Sequence, residues 1–479
     1  MRSIRSRPHA IALVAILAVA FGLRAWNLSY NTAFLDETLH IRDGGQLLSG
    51  TPASHFMGKA GYVWVFPVLA TLADARGGLE AVRFMNVLFG TSAVFCVFLF
   101  ARVLYSPRVG CLAALLYAIS APLIFVSRFG TQDAMSNALL AFTLFLLTRG
   151  VKDSNRGTLL LGASVGFLSF LAKYPGGFYF PFIFLALSFH KKRGLIWKYF
   201  ALPLTLLVAA YLGYYFSDLV SQFLLGQVAD KHAKYEAVNL KILQESVAYL
   251  GPATLLALVG LVGQYRHRLT TIALISGGLV ILLYHFGNQD PEAFYKHVAY
   301  GLIFLAPAAG LGLDSIPGSR SRVVSAKFNW VFVVSAVFVL MLLLSRQQMQ
   351  GVQTFWPNSG RAVTYLEEHL QGEKLLLAEN GAIYNYYLRL HGPRFANLTI
   401  WDTFTTYSYA DATGEQALFE ALEDSHFDYV ILDGTSTPQL DQEIVARFGS
   451  RYRLAFTDLV DTSLGEVTIS VFERTGGEE

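Results

Sequence analysis

Long apolar runs dominate the chain up to about residue 345. They fall at 9–26, 81–104, 108–127, 134–149, 158–174, 177–190, 197–216, 248–264, 270–286, 298–314 and 328–345. About 20 apolar residues in helical form cross a ~30 Å hydrocarbon core. The pattern therefore predicts eleven transmembrane helices, some of them short. The stretch 62–73 is apolar but shorter still, and it predicts a segment dipping into the interface. Residues 36–48 carry an amphipathic pattern and predict a helix on the membrane surface. Past Arg346 the pattern changes. Residues 359–370, 413–424 and 439–448 read as helices, while 374–378, 429–432 and 467–472 read as short strands. Helices interleaved with apolar strands predict a small α/β domain. The expectation is a polytopic α-helical membrane domain over 1–345 and a soluble extracytoplasmic α/β domain over 346–479.

Composition agrees with a membrane chain. Hydrophobic residues make up 54% and charged residues 15%, and the mean hydropathy is +0.43. Soluble domains carry about 25% charge, so an ordinary cytosolic enzyme, a disordered chain and a disulfide scaffold are excluded. The net charge of +3 conceals an asymmetry. Residues 1–345 hold 28 Lys and Arg against 14 Asp and Glu, whereas 346–479 hold 9 against 20. The basic clusters Arg2/Arg5/Arg7, Arg102/Arg108, Lys152/Arg156, Lys191/Lys192/Arg193, Arg266/Arg268 and Arg320/Arg322/Lys327 fall at alternate span ends. All can lie on one side, which the positive-inside rule makes the cytoplasm. The N-terminus is then inside and the C-terminal part outside. A span at 62–73 would break that alternation. Met1–Trp26 has the layout of a signal peptide but no clear small-x-small cleavage site, and it reads as a retained first helix.

Neither Cys96 nor Cys111 lies in the acidic C-terminal part, and neither belongs to a paired Cys/His spacing. No zinc or calcium motif is present, so no metal or other cofactor is expected. The basic residues lack aromatic interleaving, which argues against a nucleic-acid partner.

The longer loops lie on the outer side, and they hold the candidate chemistry. Asp36 and Glu37 stand just beyond the first span; two carboxylates there can act as a base, bind a metal, or be simply solvated. Lys59 shares their loop. Asp133 sits between two apolar spans, where an ionisable group is costly and often functional; it also suits a helix cap. Lys173 closes a span on the outer side, against the positive-inside tendency, although snorkelling would also place it there. Lys296 and Tyr300 open another span, where an aromatic belt with an interfacial lysine is the plain alternative. The stretch Lys231–Glu236 reads equally as a surface helix. Together these residues can form one outward cavity of carboxylates and phosphate-binding cations, suited to transfer from a phosphate-linked donor.

Five segments resemble, in order, those of the GT-C glycosyltransferases, and within them glycosyltransferase family 39, the protein O-mannosyltransferases and lipid A aminoarabinose transferase. They are Phe34-Leu35-Asp36-Glu37-Thr38-Leu39-His40, Gly58-Lys59-Ala60-Gly61-Tyr62, Arg83-Phe84-Met85-Asn86-Val87-Leu88-Phe89-Gly90, Arg128-Phe129-Gly130-Thr131-Gln132-Asp133 and Gly166–Tyr174 with its Gly-x-x-x-x-x-x-Lys spacing. The resemblance covers roughly residues 10–345. It implies a GT-C fold and inverting transfer of a sugar from a polyprenyl-phosphate donor to an extracytoplasmic acceptor. Asp36 matches the acid that acts on the acceptor, with Glu37 beside it. Lys59 would contact the donor phosphate and Asp133 would shape the cavity. Lys296 and Tyr300 resemble the cation–tyrosine pair opening a late span, which implies that they too bind the donor phosphate. A ligase or polymerase of lipid-linked glycans and a transporter or flippase are the alternatives. No paired inverted repeat supports transport. The sequons at Asn27 and Asn397 are common by chance, and a prokaryotic plasma membrane is the expected location.

Overall fold

A backbone crossing lipid must satisfy its own amides and carbonyls, so apolar segments of this length fold as helices. The computed structural model describes residues 7–51, 64–188, 190–216, 238–264, 267–288, 293–317, 323–390, 399–401, 407–435 and 437–475. In chain order its membrane part comprises α1 (Arg7–Ala25), α2 (Leu35–Leu48), α3 (Val65–Leu104), α4 (Pro107–Ile119), α5 (Ala121–Val126), α6 (Asp133–Asp153) and α7 (Arg156–Ala172), then α8 (Tyr179–Ser188), α9 (Arg193–Tyr214), α10 (Val238–Gly263), α11 (Arg268–Asn288), α12 (Phe294–Ser315) and α13 (Val324–Gln353). Among the described residues eight of these are long and apolar enough to cross a membrane, and α4 and α7 are shorter apolar helices. The chain is an integral membrane protein. The eleven apolar runs are helical, with 108–127 divided between α4 and α5, but among the described residues eight helices reach spanning length where eleven transmembrane helices were expected.

Helix α3 has 40 residues, about 60 Å at 1.5 Å per residue and twice a bilayer core. It breaks at Gly77 and Gly78, and Gly78 adopts φ +63°. That conformation disfavours any residue with a Cβ. The arm before the break, from Val65, is about 18 Å long and too short to span. The part after it is long enough.

The chain divides into two units, Met1–Leu28 with Asp43–Met349, and Ser29–Arg42 with Gln350–Glu479. In the first, α12 is central. The most apolar window of α12 is 94% buried, against 17% for those of α1 and α13. Small residues allow this. A Cβ on Gly312 would strike the carbonyl of Leu256 in α10, and one on Gly301 the carbonyl of Gly278 in α11. One on Gly310 would stand 2.9 Å from the carbonyl of Val109 in α4. Close backbone approach replaces the hydrophobic effect as the source of cohesion between helices in lipid. At the end of α12, buried Asp314 pairs with Arg108 at 3.2 Å, and that guanidinium lies 4.1 Å from the Trp330 ring centre.

The second unit continues with α14 (Gly360–His369), β1 (Leu375–Ala378), β2 (Thr399–Trp401), β3 (Ser408–Tyr409), β4 (Ala412–Thr413), α15 (Glu415–Glu423), β5 (Tyr429–Leu432), α16 (Pro438–Arg447), β6 (Tyr452–Thr462) and β7 (Gly465–Arg474). Its main sheet has the order β2-β1-β5-β7-β6. Strand β1 is parallel to β2 and β5, while β7 is antiparallel to β5 and β6. Leu366 of α14 packs with Leu376 and Ile431 on one face, and Leu418 of α15 and Ile444 of α16 pack with Leu377 and Val430 on the other. Helices on both faces explain why β5 is buried throughout and reads as an unbroken apolar run. Strand β6 lies outside the expected elements. Ser29–Arg42 joins this unit through specific contacts. Asn31 Nδ2 donates to the carbonyls of Gln353 and Trp356 at 3.2 and 3.1 Å, Trp356 Nε1 donates to Thr32 O at 3.1 Å, and Phe34 packs on Phe355 and Trp356.

Chain order places the carboxyl ends of β1 and β5 at a switch point of this sheet. Glu379, after β1, accepts there from the backbone N–H groups of Asp433, Gly434 and Thr437 at 2.8, 2.7 and 2.6 Å. Asp433 and Asp441 are buried beside it. Burial first, and the Glu379 carboxylate second, push both carboxyls up to about 7.

Two outcomes are expected. Gly312→Val forces α10 away from α12 and should lower the melting temperature in detergent sharply; an unchanged melting temperature would contradict the packing. Asp433 and Asp441 hold protons in the folded state that the unfolded chain releases near pH 4. Stability of the second unit should therefore fall as pH rises from about 4 to about 7 and level off above, with a slope of about 1.4 kcal/mol per pH unit for each extra proton. Hydrogen exchange of β1 and β5, corrected for intrinsic rates, measures this, and Asp441→Asn should flatten it.

Candidate active site

The site is built on the loop Ser127–Gln132 between α5 and α6, which is buried throughout. A buried loop needs partners for its carbonyls, and the motif Arg83-x-x-Asn86-x-x-x-Gly90 on α3 meets that need. Asn86 Nδ2 donates to the carbonyls of Phe129 and Thr131, the latter at 2.8 Å. Gly90 leaves room for Ser127, whose side chain a Cβ there would strike. Arg83 Nη1 donates to Leu28 O at 2.7 Å. Arg128 Nη2 reaches the carbonyls of Trp26 and Asn27 at 2.6 and 2.7 Å, and Arg24 Nε reaches Ser127 Oγ at 3.2 Å. Arg24 and Arg128 thus tie the loop to the end of α1, and Arg83 ties α3 to the stretch just after it.

Asp133 opens α6 and is 1% exposed. Its Oδ1 accepts from Lys173 Nζ at 2.7 Å, and its Oδ2 from Thr131 Oγ1 at 2.9 Å. The helices are set for this meeting one turn further along. Ser136 Oγ donates to Ser169 O, and Ser169 Oγ donates to Ser136 O, both at 3.0 Å. Ser136 is three residues after Asp133 and Ser169 four before Lys173, so the crossed serines fix the spacing of the charged pair. Lys173 itself turns to an extended conformation, φ −161°, at the end of α7, ahead of the Tyr174–Phe178 turn.

Lys296 stands in the first turn of α12, 4% exposed, with Nζ 4.9 Å from the centre of the Phe129 ring. It lies within electrostatic reach of Asp133, as do His297 and Tyr300. His297 is hydrogen-bonded to buried His285 at 3.0 Å. Among the described residues this set gathers two ammonium groups around one carboxylate, at the end of a helical bundle. Such a set suits a singly charged anion whose charge grows during reaction.

The structure therefore brings together Asp133, Lys173, Lys296 and Tyr300. Asp36 and Glu37 stand on the first turn of α2 and belong to the second unit. Glu37 is fully buried and accepts from Phe34 N at 2.9 Å, a carboxylate reaching back to cap its own helix. Asp36 beside it is half-buried. Lys59, Lys231–Glu236 and Asn397 lie outside the described residues. Ser136, Ser169 and His285 were missed by sequence reasoning. The serine spacing relative to Asp133 and Lys173 carried a usable signal. Among the described residues no group of three His, Cys, Asp or Glu is placed to hold a metal ion.

Residues 61–214 match the dolichyl-phosphate-mannose-protein mannosyltransferase family. The fold is similar to that of the archaeal oligosaccharyltransferase AglB from Archaeoglobus fulgidus in complex with an inhibitory peptide and a dolichol-phosphate. The TM-score is 0.59 at 11% identity, over 100% of this chain and 75% of that one. It is also similar to ArnT from Cupriavidus metallidurans bound to undecaprenyl phosphate, with a TM-score of 0.59 at 12% identity over 97% of this chain and 98% of that one. A sequence comparison with curated proteins gives no match.

Removing one partner from a buried pair leaves an uncompensated charge, at a cost of about 3–5 kcal/mol. Lys173→Met should therefore destabilise the chain strongly, and Asp133→Asn combined with Lys173→Met should recover much of the loss. Thermal unfolding of the single and double variants measures the coupling, and simple additivity would contradict it.

Proposed function

We propose that the chain is an integral membrane glycosyltransferase. It moves a monosaccharide from a polyprenyl-phosphate donor to an extracytoplasmic acceptor, with inversion at the anomeric carbon. The observation that carries this reading is the buried Asp133–Lys173 pair with Lys296 beside it, in a GT-C fold. An ion pair serving packing alone has no need of a second buried lysine.

Lys173 and Lys296 hold the donor phosphate, and Asp133 keeps Lys173 oriented. The acceptor oxygen attacks the anomeric carbon, the bond from that carbon to the phosphate oxygen breaks, and polyprenyl phosphate leaves with the electron pair. The lysines stabilise the charge that develops on it. The acceptor proton passes to Asp36, in the role that its motif implies, and Glu37 fixes the helical turn that presents it. Tyr300 lies one turn along from Lys296. Lys59 keeps the donor-phosphate role that its motif implies. Family similarity over 61–214 and likeness to a fold that binds undecaprenyl phosphate in ArnT support the donor class. The alternation of basic clusters supports a cytoplasmic N-terminus and an extracytoplasmic C-terminal unit, and the compact outer loops favour a prokaryotic plasma membrane.

The test is a transfer assay on purified protein in detergent, with radiolabelled polyprenyl-phosphate sugars and a membrane extract as acceptor pool. Label should move to a new product with the native chain, and transfer should vanish with Asp36→Asn while the protein remains folded. Full activity in Asp36→Asn would remove that residue from the chemistry. Absence of transfer with every donor would redirect attention to transport.

A further inference from the structure

Beneath the charged set lies a second group of polar side chains that the proposed mechanism leaves idle. Asn137 is one turn along α6 from Asp133 and is 2% exposed, yet neither its Oδ1 nor its Nδ2 makes a hydrogen bond among the described residues. Tyr179, at the start of α8, is fully buried, and its hydroxyl is likewise without a hydrogen bond among the described residues. The Tyr179 ring stacks on Tyr300 with centroids 6.1 Å apart. The Tyr300 hydroxyl, also fully buried, lies beside Asp133, Ser136 and Tyr179. Three helices thus carry these groups close to the Asp133–Lys173 pair: Asn137 one turn along α6, Tyr300 on α12 beside Asp133, and Tyr179 on α8 stacked on Tyr300.

An unmet polar group at membrane depth costs several kcal/mol. Packing alone would have favoured leucine and phenylalanine at these positions. The chemistry of the group is also specific. It is uncharged, and the amide alone offers two donors and two acceptor lone pairs. A phosphate would seek the lysines above. A neutral ring bearing several hydroxyls, each able to donate and accept, matches the set below.

We propose that Asn137, Tyr179 and Tyr300 form the subsite that binds the hydroxyl groups of the transferred sugar. The assignment rests on the reading of the chain as a polyprenyl-phosphate-dependent glycosyltransferase and deepens it. The charged set selects the phosphate, and the amide–hydroxyl set selects the sugar. A site built to hydrogen-bond a hydroxyl discriminates strongly against analogues lacking it, because its own groups are then stranded.

The experiment compares binding of bare undecaprenyl phosphate with undecaprenyl phosphate carrying mannose, glucose or arabinose, to the full-length chain and to Asn137→Leu and Tyr179→Phe. At least one sugar-bearing lipid should bind the native chain about tenfold or more tightly than the bare lipid, a difference of about 1.4 kcal/mol. The variants should erase that difference, leave bare-lipid affinity within about twofold, and keep or raise the melting temperature. Equal weakening of both lipids, or a lowered melting temperature with the sugar preference intact, would overturn the assignment in favour of a structural role. A native chain that gains nothing from any sugar would also overturn it. If folded native protein bound no undecaprenyl lipid at all, the transferase reading itself would fall.

Discussion

A carboxylate held out of water at the end of a transmembrane bundle stays ionised only if a cation is kept against it, and the first unit is organised around meeting that condition at Asp133. Lys173 supplies the cation, but a lysine on a neighbouring helix reaches it only at one helix spacing. The crossed Ser136–Ser169 hydrogen bonds set that spacing. Asn86 and the arginines 24 and 128 then hold the loop that carries Asp133 into its helix. The central helix α12 brings Lys296 to the same point, and it can be central only because glycine and alanine let its neighbours approach backbone to backbone.

Much of the fold was legible because lipid enforces a simple code. Apolar runs become helices, and the eleven runs did so, although among the described residues only eight helices reach spanning length. Shorter features followed weaker rules. The Gly77–Gly78 break is invisible to a hydropathy count, although two adjacent glycines after the short apolar stretch are its trace. In the α/β unit, fully buried β5 was plain as a four-residue apolar run. Strand β6 was not, since its polar residues include Asp458, buried by a pair with Arg361. The grouping of Ser29–Arg42 with residues more than three hundred positions away depends on Asn31, Thr32 and Trp356 meeting in space, which no local pattern encodes.

The candidate site was legible to the extent that charge out of place is a signal. Asp133 between two apolar runs and Lys173 on the uncharacteristic side both stood out, and the structure pairs them. Their pairing was not readable, because it depends on how α6 and α7 pack. Glu37 shows the opposite case. Adjacent to Asp36, it looked equally chemical, yet it caps its own helix. Asn137 and Tyr179 gave no signal at all, since a lone amide or tyrosine in an apolar run is ordinary until its partners are counted.

The three backbone amides that converge on Glu379 carry a consequence for the second unit. Sheets with this connectivity commonly offer such a crevice, near the start of a helix, to the phosphates of a nucleotide. Here the place is taken by a side chain tethered two strands' ends away, and a tethered anion competes at an effective concentration that a dissolved one must overcome. The unit is thus occupied from within. An anion arriving at the switch point would have to displace the Glu379 carboxylate from all three amides before it could bind there.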